Sequence, residues 1–244
     1  MNYRIYTKRH LKKNAFASWL ERLSVTNLLI IINVVVFIIG IILLLIEINI
    51  NYIALQPNAF FQEKTIWTLV TSMFMHAPGA IIPFLSLHLF INMFVLFQLG
   101  NLSEKIIGKK RFLWFYLISG LFAGLLFVYL SYFFGNTELG ARIFGSPIIP
   151  AVGASGAIFA IAGLFVMLTP RLRFMIIFFP FFSLPAYIMI PLLLFVTWII
   201  TSSTGFLIGN VAHFGGFLAG IIYGFYLRKK YPKKTRMISN YFSR

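Results

Sequence analysis

The sequence predicts an all-α membrane protein, a bundle of six transmembrane helices with both termini in the cytoplasm. Composition, long apolar runs and the placement of basic residues each lead to this fold class. Of the 244 residues, 60 % are hydrophobic and 11 % are charged, whereas about a quarter of the residues in soluble domains are charged. This composition excludes an ordinary water-soluble domain and a disordered chain.

Six apolar runs approach the length of about 20 residues that a membrane-spanning helix needs. They are Leu28–Ile46, Phe84–Leu102, Phe112–Phe134, Gly153–Leu168, Leu184–Thr201 and Phe206–Leu227. The first run is too long for a secretory signal and no small-residue cleavage pattern follows it, so we expect it to stay in the chain. The fourth run is short, and Pro185 and Pro191 interrupt the fifth, so these two deviate most from a simple span.

Basic residues set the predicted orientation. The net charge is +16, and with six spans every Lys and Arg except Lys64 and Arg142 lies on the side of the two termini, which satisfies the rule that basic loops face the cytoplasm. We therefore predict a basic cytoplasmic arm over 1–26, a six-span domain over 27–228 and a basic cytoplasmic tail over 229–244. Basic residues scattered between apolar runs are typical of topology signals, so no nucleic-acid partner is expected.

The connections on the outer side differ in kind. Glu47–Pro83 is long and mixed, which favours a segment in the membrane interface, with His76 as an interfacial loop residue. Gly and Pro residues predict irregular structure over Phe133–Val152, and the small, polar segment Ser202–Gly209 is a candidate for movement. The Phe-rich stretch Phe178–Phe182 is most simply lipid-facing or packing bulk, with the lining of a substrate entrance as the alternative.

Four polar side chains in three predicted spans fall at one depth, counted from the basic residues that mark the cytoplasmic boundary. Ser155 lies 16 positions before Arg171, which places it about 24 Å above that boundary. The same count gives about 22 Å for His213, about 25 Å for His88 and about 20 Å for Asn92. In a hydrocarbon core about 30 Å thick, these four side chains therefore lie about 5–10 Å below the outer surface.

A serine and a histidine at one depth are the parts of a catalytic dyad. A neutral imidazole is the usual base that takes the proton from a serine hydroxyl and makes it a nucleophile. This chemistry assigns Ser155 as nucleophile and His213 as general base. No carboxylate lies at this level within a span, so the third member of a Ser-His-Asp triad is missing.

The same depth offers donors for the negative charge that develops on a substrate oxygen. Ser155 opens the fourth predicted helix, where main-chain N–H groups are free, and the flanking Gly153 and Gly156 let other backbone approach. His88 and Asn92 are four positions apart, hence on one helical face, and both donate hydrogen bonds. These groups meet the requirements of an oxyanion site.

The sixth span carries a face of small residues. Gly216 and Gly220 continue the helical face of His213, and such faces allow close approach of helices in membranes. The fourth span, which carries Gly156, is the expected neighbour. Contact between the two spans is needed to bring His213 within about 3 Å of Ser155.

Other proteolytic chemistries lack their residues. An aspartyl mechanism needs two Asp, and the chain has neither Asp nor Cys, which also excludes thiolate nucleophiles and Cys-ligated metals. The His residues form no His-Glu-x-x-His run, and no span holds a Lys for a Ser-Lys dyad. Since a nucleotide-binding loop and a metal cluster are missing from the sequence as well, we expect no cofactor and no metal.

Each motif alone has a simpler explanation. Gly153-Ala154-Ser155-Gly156 is typical of a packing surface in a Gly-rich membrane helix. His213 alone is equally compatible with a hydrogen bond to a carbonyl across a helix interface. The pair His88 and Asn92 is compatible with a simple contact between helices. Their shared depth is the observation that favours catalysis.

The motifs follow one another in a specific order and spacing over about 67–226. They are His88-x-x-x-Asn92; then Gly100, Glu104, Gly108, Phe112, Tyr116, Gly120 and Gly124; then Gly153-Ala154-Ser155-Gly156; and Ala212-His213-x-x-Gly216-x-x-x-Gly220. In this order and spacing the chain resembles the rhomboid intramembrane serine proteases.

The resemblance implies a six-helix core with Ser155 as nucleophile and His213 as base. It implies an oxyanion site made by the Ser155 main-chain N–H with the His88 and Asn92 side chains. Such an endopeptidase cuts transmembrane helices of membrane proteins near the outer face through an acyl-enzyme. We expect it to lie in the lipid bilayer of a prokaryotic cell (inner) membrane, with the active site open to the non-cytoplasmic side.

The resemblance also implies a gate and a cap, which here are Leu184–Thr201 and Ser202–Gly209. Two positions depart from the common family pattern. Trp67 is followed by Thr68 where family members often carry Arg, and Phe159 stands where a Tyr often stacks on the catalytic His. Neither departure removes a reacting group.

Two other functions stay open. A catalytically inactive rhomboid-like protein would bind or chaperone membrane helices, and it is disfavoured because both Ser155 and His213 are present. A transporter or channel is disfavoured because no span holds a carboxylate or a Lys for ion coupling.

Overall fold

The computed structural model describes residues 23–48, 50–76, 82–176, 179–204 and 209–243. Most of the predicted N-terminal arm and residues 205–208 of the predicted cap lie outside these ranges. The described chain is mainly helical.

The helices and strands follow one another along the whole described chain. They are α1 (Val25–Leu45), a 3-10 turn (Ile50–Ile53), α2 (Pro57–Gln62), α3 (Thr68–Thr71), α4 (Ile82–Val95), a π turn (Leu96–Gly100), α5 (Asn101–Ile107), α6 (Lys109–Phe134), α7 (Glu138–Phe144), α8 (Ser155–Leu168), β1 (Arg173–Ile176), β2 (Phe179–Pro185), α9 (Ala186–Thr204), α10 (Asn210–Lys230) and α11 (Pro232–Tyr241). Among the described helices, α1, α6, α9 and α10 are long and apolar enough to cross a membrane, and α8 is a shorter apolar helix.

The second predicted span is a helical run divided by the π turn at Leu96–Gly100. The turn separates α4 from α5, so neither helix alone reaches spanning length. Gly100 ends this turn against α1, where a Cβ on it would come 2.8 Å from the methyl group of Thr26. The missing side chain therefore allows α1 to lie directly on the divided helix.

Glu104 of α5 caps the N-terminus of α1, the first predicted span. Its carboxylate, 7 % exposed, accepts hydrogen bonds from the main-chain N–H groups of Val25 at 3.1 Å and Thr26 at 2.9 Å and from the Thr26 hydroxyl at 3.0 Å. First-turn N–H groups have no acceptor within their own helix, and the positive end of the helix dipole favours an anion. Glu104 thus fixes where α1 begins.

Glu104→Ala is expected to lower the free energy of unfolding by about 1–3 kcal/mol, because buried N–H donors lose their acceptor. Thermal or denaturant unfolding in detergent micelles measures the change. Glu63→Ala removes an exposed carboxylate and is the matched control, expected to stay within about 0.5 kcal/mol of the wild type. Equal losses in the two variants would contradict the capping role.

The described chain is mainly helical, as predicted, but it contains one short sheet, and the helix of the fifth predicted span begins two residues after the predicted Leu184. β1 and β2 form an antiparallel hairpin, and α9 begins only at Ala186. Pro185 explains the boundary, since a proline restricts the residue before it to extended conformations. Across the hairpin, Nε of Arg173 donates to Oγ of Ser183 at 3.0 Å.

The connection Phe133–Val152, predicted as an irregular outer loop, contains the short helix α7. Thr137 caps this helix, because its hydroxyl accepts a hydrogen bond from the N–H of Gly140 at 3.0 Å. A Thr cap followed by a Glu in the first turn is a common start of a helix. The Gly and Pro content of the connection concealed this signal.

Candidate active site

Helices α8 and α10 lie so close together that glycine is required along their contact. A Cβ on Gly216 would overlap the carbonyl oxygen of Gly156, and a Cβ on Gly220 would overlap that of Ala160. Both obstacles are main-chain atoms, which no side-chain rotation moves. The fold therefore brings the small-residue faces of the fourth and sixth predicted spans together.

This close approach places Ser155 and His213 in hydrogen-bonding contact. Ser155 is the first residue of α8, His213 lies in the first turn of α10, and 2.8 Å separates the serine Oγ from the histidine Nε2. Among the described residues, His213 Nδ1 has no hydrogen-bond partner, so no carboxylate completes a triad there. A hydroxyl at this distance from a neutral imidazole is arranged to give up its proton to the ring.

The Phe159 ring packs against the face of the His213 imidazole. Its ring stacks on that of His213 with centroids 4.4 Å apart and an interplanar angle of 22°. Phe159 lies one helical turn after Ser155, so α8 supplies both the hydroxyl and the stacking surface. A Phe at this position retains the ring contact without a phenolic hydroxyl.

Gly153 lies between the predicted nucleophile and a predicted oxyanion donor. Its φ is +123°, a conformation that L side chains rarely adopt, and its N–H donates to the carbonyl oxygen of Ser72 at 2.9 Å. A Cβ there would come 3.1 Å from Cε1 of His88 and 3.8 Å from Oγ of Ser155. The glycine therefore keeps open the space that the His88 ring and the serine hydroxyl share.

Asn92 lies on the same helix as His88. Its side chain is buried, and its amide donates a hydrogen bond to the main-chain carbonyl of His88 at 3.0 Å. An amide nitrogen carries two hydrogens, so this bond leaves one of them for another acceptor. The assignment of Asn92 as an oxyanion donor stays a prediction.

His76 is far more buried than an interfacial loop residue. It is 1 % exposed, and its ring centroid lies 5.2 Å from that of His88. Neither of its ring nitrogens has a hydrogen-bond partner among the described residues. Burial and, secondly, the neighbouring His88 lower the pKa of His76 from 6.5 to about 3.

The position of His76 makes stability sensitive to acid. The folded-state pKa of His76 is depressed, so below about pH 6.5 the unfolded chain binds a proton that the folded protein excludes. The contribution of His76 to the free energy of unfolding is therefore complete above about pH 6.5 and is lost as the pH falls toward about 3. His76→Phe keeps a ring and removes the titrating group. We expect the variant to lose about 3 kcal/mol less than the wild type between about pH 6.5 and pH 4, at about 1.4 kcal/mol per pH unit. Unfolding in micelles across this range measures the difference, and parallel pH profiles would exclude His76 as the cause.

Comparisons with known proteins identify the family. A family model for the Rhomboid domain matches residues 63–230. The chain is similar to Rhomboid protein 1, mitochondrial, of Saccharomyces cerevisiae, with 30 % identity over 61 % of this chain and 40 % of that protein. It is also similar to RHOMBOID-like protein 5 of Arabidopsis thaliana, with 30 % identity over 68 % of this chain and 45 % of that protein.

A third relative is matched over more of its own length. The chain is 25 % identical to Rhomboid protease GlpG of Haemophilus influenzae over 73 % of this chain and 79 % of that protein. By contrast, the match covers less than half the length of the yeast and plant relatives. The Rhomboid domain match covers more than half of the chain and includes Ser155 and His213, so the chain belongs to the rhomboid family, as its motifs predicted.

Proposed function

We propose that this chain is an intramembrane serine endopeptidase that cleaves transmembrane segments of membrane proteins near the outer face of the bilayer. The observation that carries the proposal is the 2.8 Å contact between His213 Nε2 and Ser155 Oγ. Two further observations support it: the chain is a rhomboid, and its relative in Haemophilus influenzae is named a protease.

The reaction follows from the dyad. Ser155 Oγ attacks the carbonyl carbon of the scissile peptide bond while Nε2 of His213 takes the hydroxyl proton. When the tetrahedral intermediate collapses, the C–N bond breaks, His213 returns the proton to the leaving amine, and an ester links the acyl group to Ser155. A water molecule, deprotonated by His213, then hydrolyses the ester and regenerates the hydroxyl.

The oxyanion of each tetrahedral intermediate needs donors in fixed positions. The main-chain N–H of Ser155 lies at the N-terminus of α8, where the helix dipole favours negative charge. The His88 ring, beside Gly153, and the amide of Asn92 supply two further donors. These groups carry out the chemistry without a cofactor or a metal.

The proposed topology has six spans over 27–228, with the basic arm 1–26 and the basic tail 229–244 in the cytoplasm. The 14 residues of α8 form a helix about 21 Å long, which is shorter than a hydrocarbon core of about 30 Å. With the C-terminal end of α8 at the basic boundary near Arg171, Ser155 lies about 9 Å below the outer surface. A transmembrane substrate in a prokaryotic cell membrane then reaches the site from the bilayer, beneath the non-cytoplasmic surface.

Reconstitution separates this function from helix binding without cleavage. The purified protein is placed in proteoliposomes with a single-span substrate, and the products are identified by mass spectrometry. We expect two fragments whose new termini lie in the outer part of the apolar segment, above the background of vesicles without the protein. Substrate that co-purifies intact and gives no new termini would contradict proteolysis and indicate the helix-binding function.

A further inference from the structure

A cavity of about 220 Å³ lies at the end of the molecule opposite the candidate active site. Its lining includes six residues of α8, α10 and α11, which are Met167, Leu168, Arg228, Thr235, Arg236 and Ser239. Leu168 ends the helix that Ser155 begins, and 13 residues of α-helix correspond to about 20 Å. The cavity is therefore separate from the Ser155–His213 site.

The cavity is positively charged. Arg228 and Arg236 line it and are both exposed, and within the described ranges no carboxylate forms an ion pair with either of them. The sequence contains no Asp or Glu after Glu138. Two guanidinium groups facing one cavity favour an anion, and phosphate suits their planar, bidentate geometry.

Apolar side chains also line the cavity. They are Met167, which is half-buried, and Leu168, which is 2 % exposed because it packs in the hydrophobic core. A ligand with a phosphate group and a hydrocarbon chain can contact both the arginines and these apolar side chains.

Helix α11 indicates the level of the cavity relative to the membrane. Met237 and Tyr241 are 72 % and 75 % exposed, and since they are four residues apart they lie on one face of the helix. Lys233 and Lys234 of the same helix are exposed as well. A short basic helix with exposed apolar side chains, directly after a candidate span, is typical of a helix lying among lipid headgroups.

We propose that this cavity binds the phosphate group of an anionic phospholipid. Arg228 and Arg236 donate hydrogen bonds to the phosphate oxygens, and Met167 and Leu168 contact the adjoining methylene groups. The site ties the C-terminal ends of α8 and α10 to α11 through a lipid. It is independent of the proposed proteolysis, because no group of the Ser155–His213 site takes part.

Binding of phosphatidylglycerol to the delipidated full chain, measured by native mass spectrometry from a neutral detergent, tests the site. The double variant Arg228→Gln, Arg236→Gln is compared with the control Lys229→Gln, Lys233→Gln, which removes the same charge from exposed residues outside the cavity lining. We expect one saturable lipid in the wild type, and affinity about tenfold weaker in the cavity variant than in the control. Equal weakening in the two double variants would mean general surface attraction and overturn the proposal.

Two further probes distinguish the sources of the phosphate. Phosphatidylcholine, with the same acyl chains and no net charge, is expected to bind more weakly than phosphatidylglycerol, and glycerol 3-phosphate is expected not to displace the bound lipid at equal concentration. Equal binding of phosphatidylcholine, or displacement by glycerol 3-phosphate, would contradict an anionic-lipid site. Thermal unfolding checks that the double variants are folded, and Arg236→Gln alone replaces the cavity variant if that one is not.

Discussion

Replacing Ser155 with alanine is expected to abolish cleavage of a transmembrane substrate, with a rate at least about 10⁴-fold below that of the wild type. In the proposed mechanism the hydroxyl oxygen forms the acyl bond, and among the described residues no other side chain is hydrogen-bonded to His213 Nε2. The main-chain N–H at position 155 stays, so substrate binding should survive the change. Initial rates with a fluorogenic single-span substrate in proteoliposomes measure the effect.

A second buried serine provides the matched control. Ser119 of α6 is 3 % exposed and lies on a different helix from both members of the dyad. Ser119→Ala is expected to cleave within about twofold of the wild-type rate, because it removes a hydroxyl without touching the site. Cleavage by Ser155→Ala at the wild-type rate would exclude Ser155 as the nucleophile.

A single methyl group between α8 and α10 is expected to have the next largest effect. In Gly216→Ala the new Cβ would overlap the carbonyl oxygen of Gly156, the residue that follows Ser155, so the two helices must move apart. A displacement of about 1 Å at a catalytic contact costs about 10²-fold in rate. Overpacking of this kind also lowers the free energy of unfolding by about 1–3 kcal/mol.

A glycine-to-alanine substitution at an uncrowded position shows whether the effect comes from crowding at the α8–α10 contact or from alanine in general. Gly209 precedes α10 with a φ of −73°, and a Cβ there would lie 3.9 Å from the Cβ of Ala212, an ordinary contact. Gly209→Ala is expected to retain wild-type stability, measured by unfolding in micelles. Wild-type activity in Gly216→Ala would show that the close helix contact does not position the dyad.

The pairing of Ser155 with His213 was predictable because two regular quantities define it. A helix has a fixed rise per residue, and basic residues mark one membrane boundary, so residues of distant spans can be placed at a common depth. The small residues at Gly216 and Gly220 then indicated which helix faces meet. Neither step needs knowledge of the loops.

His76 and the β1–β2 hairpin were missed for different physical reasons. His76 is 12 positions before His88 and separated from it by a connection, so no helical periodicity relates the two rings. A lone His after Phe74 and Met75 was the signal available, but hydrophobic neighbours alone do not distinguish a buried residue from an interfacial one. The hairpin sequence is nearly as apolar as a span, and its two prolines, Pro180 and Pro185, were the signals for extended chain.

The most direct test of the central claim, that His213 activates Ser155, is the rate at which a serine-directed fluorophosphonate labels the protein. Intact mass gives the rate, and peptide mapping gives the labelled residue, for the wild type and for His213→Gln. We expect a single label on Ser155 in the wild type and labelling about 10²–10⁴-fold slower in His213→Gln, the range of general-base catalysis. Equal labelling rates in the two proteins, or a label on another residue, would contradict it.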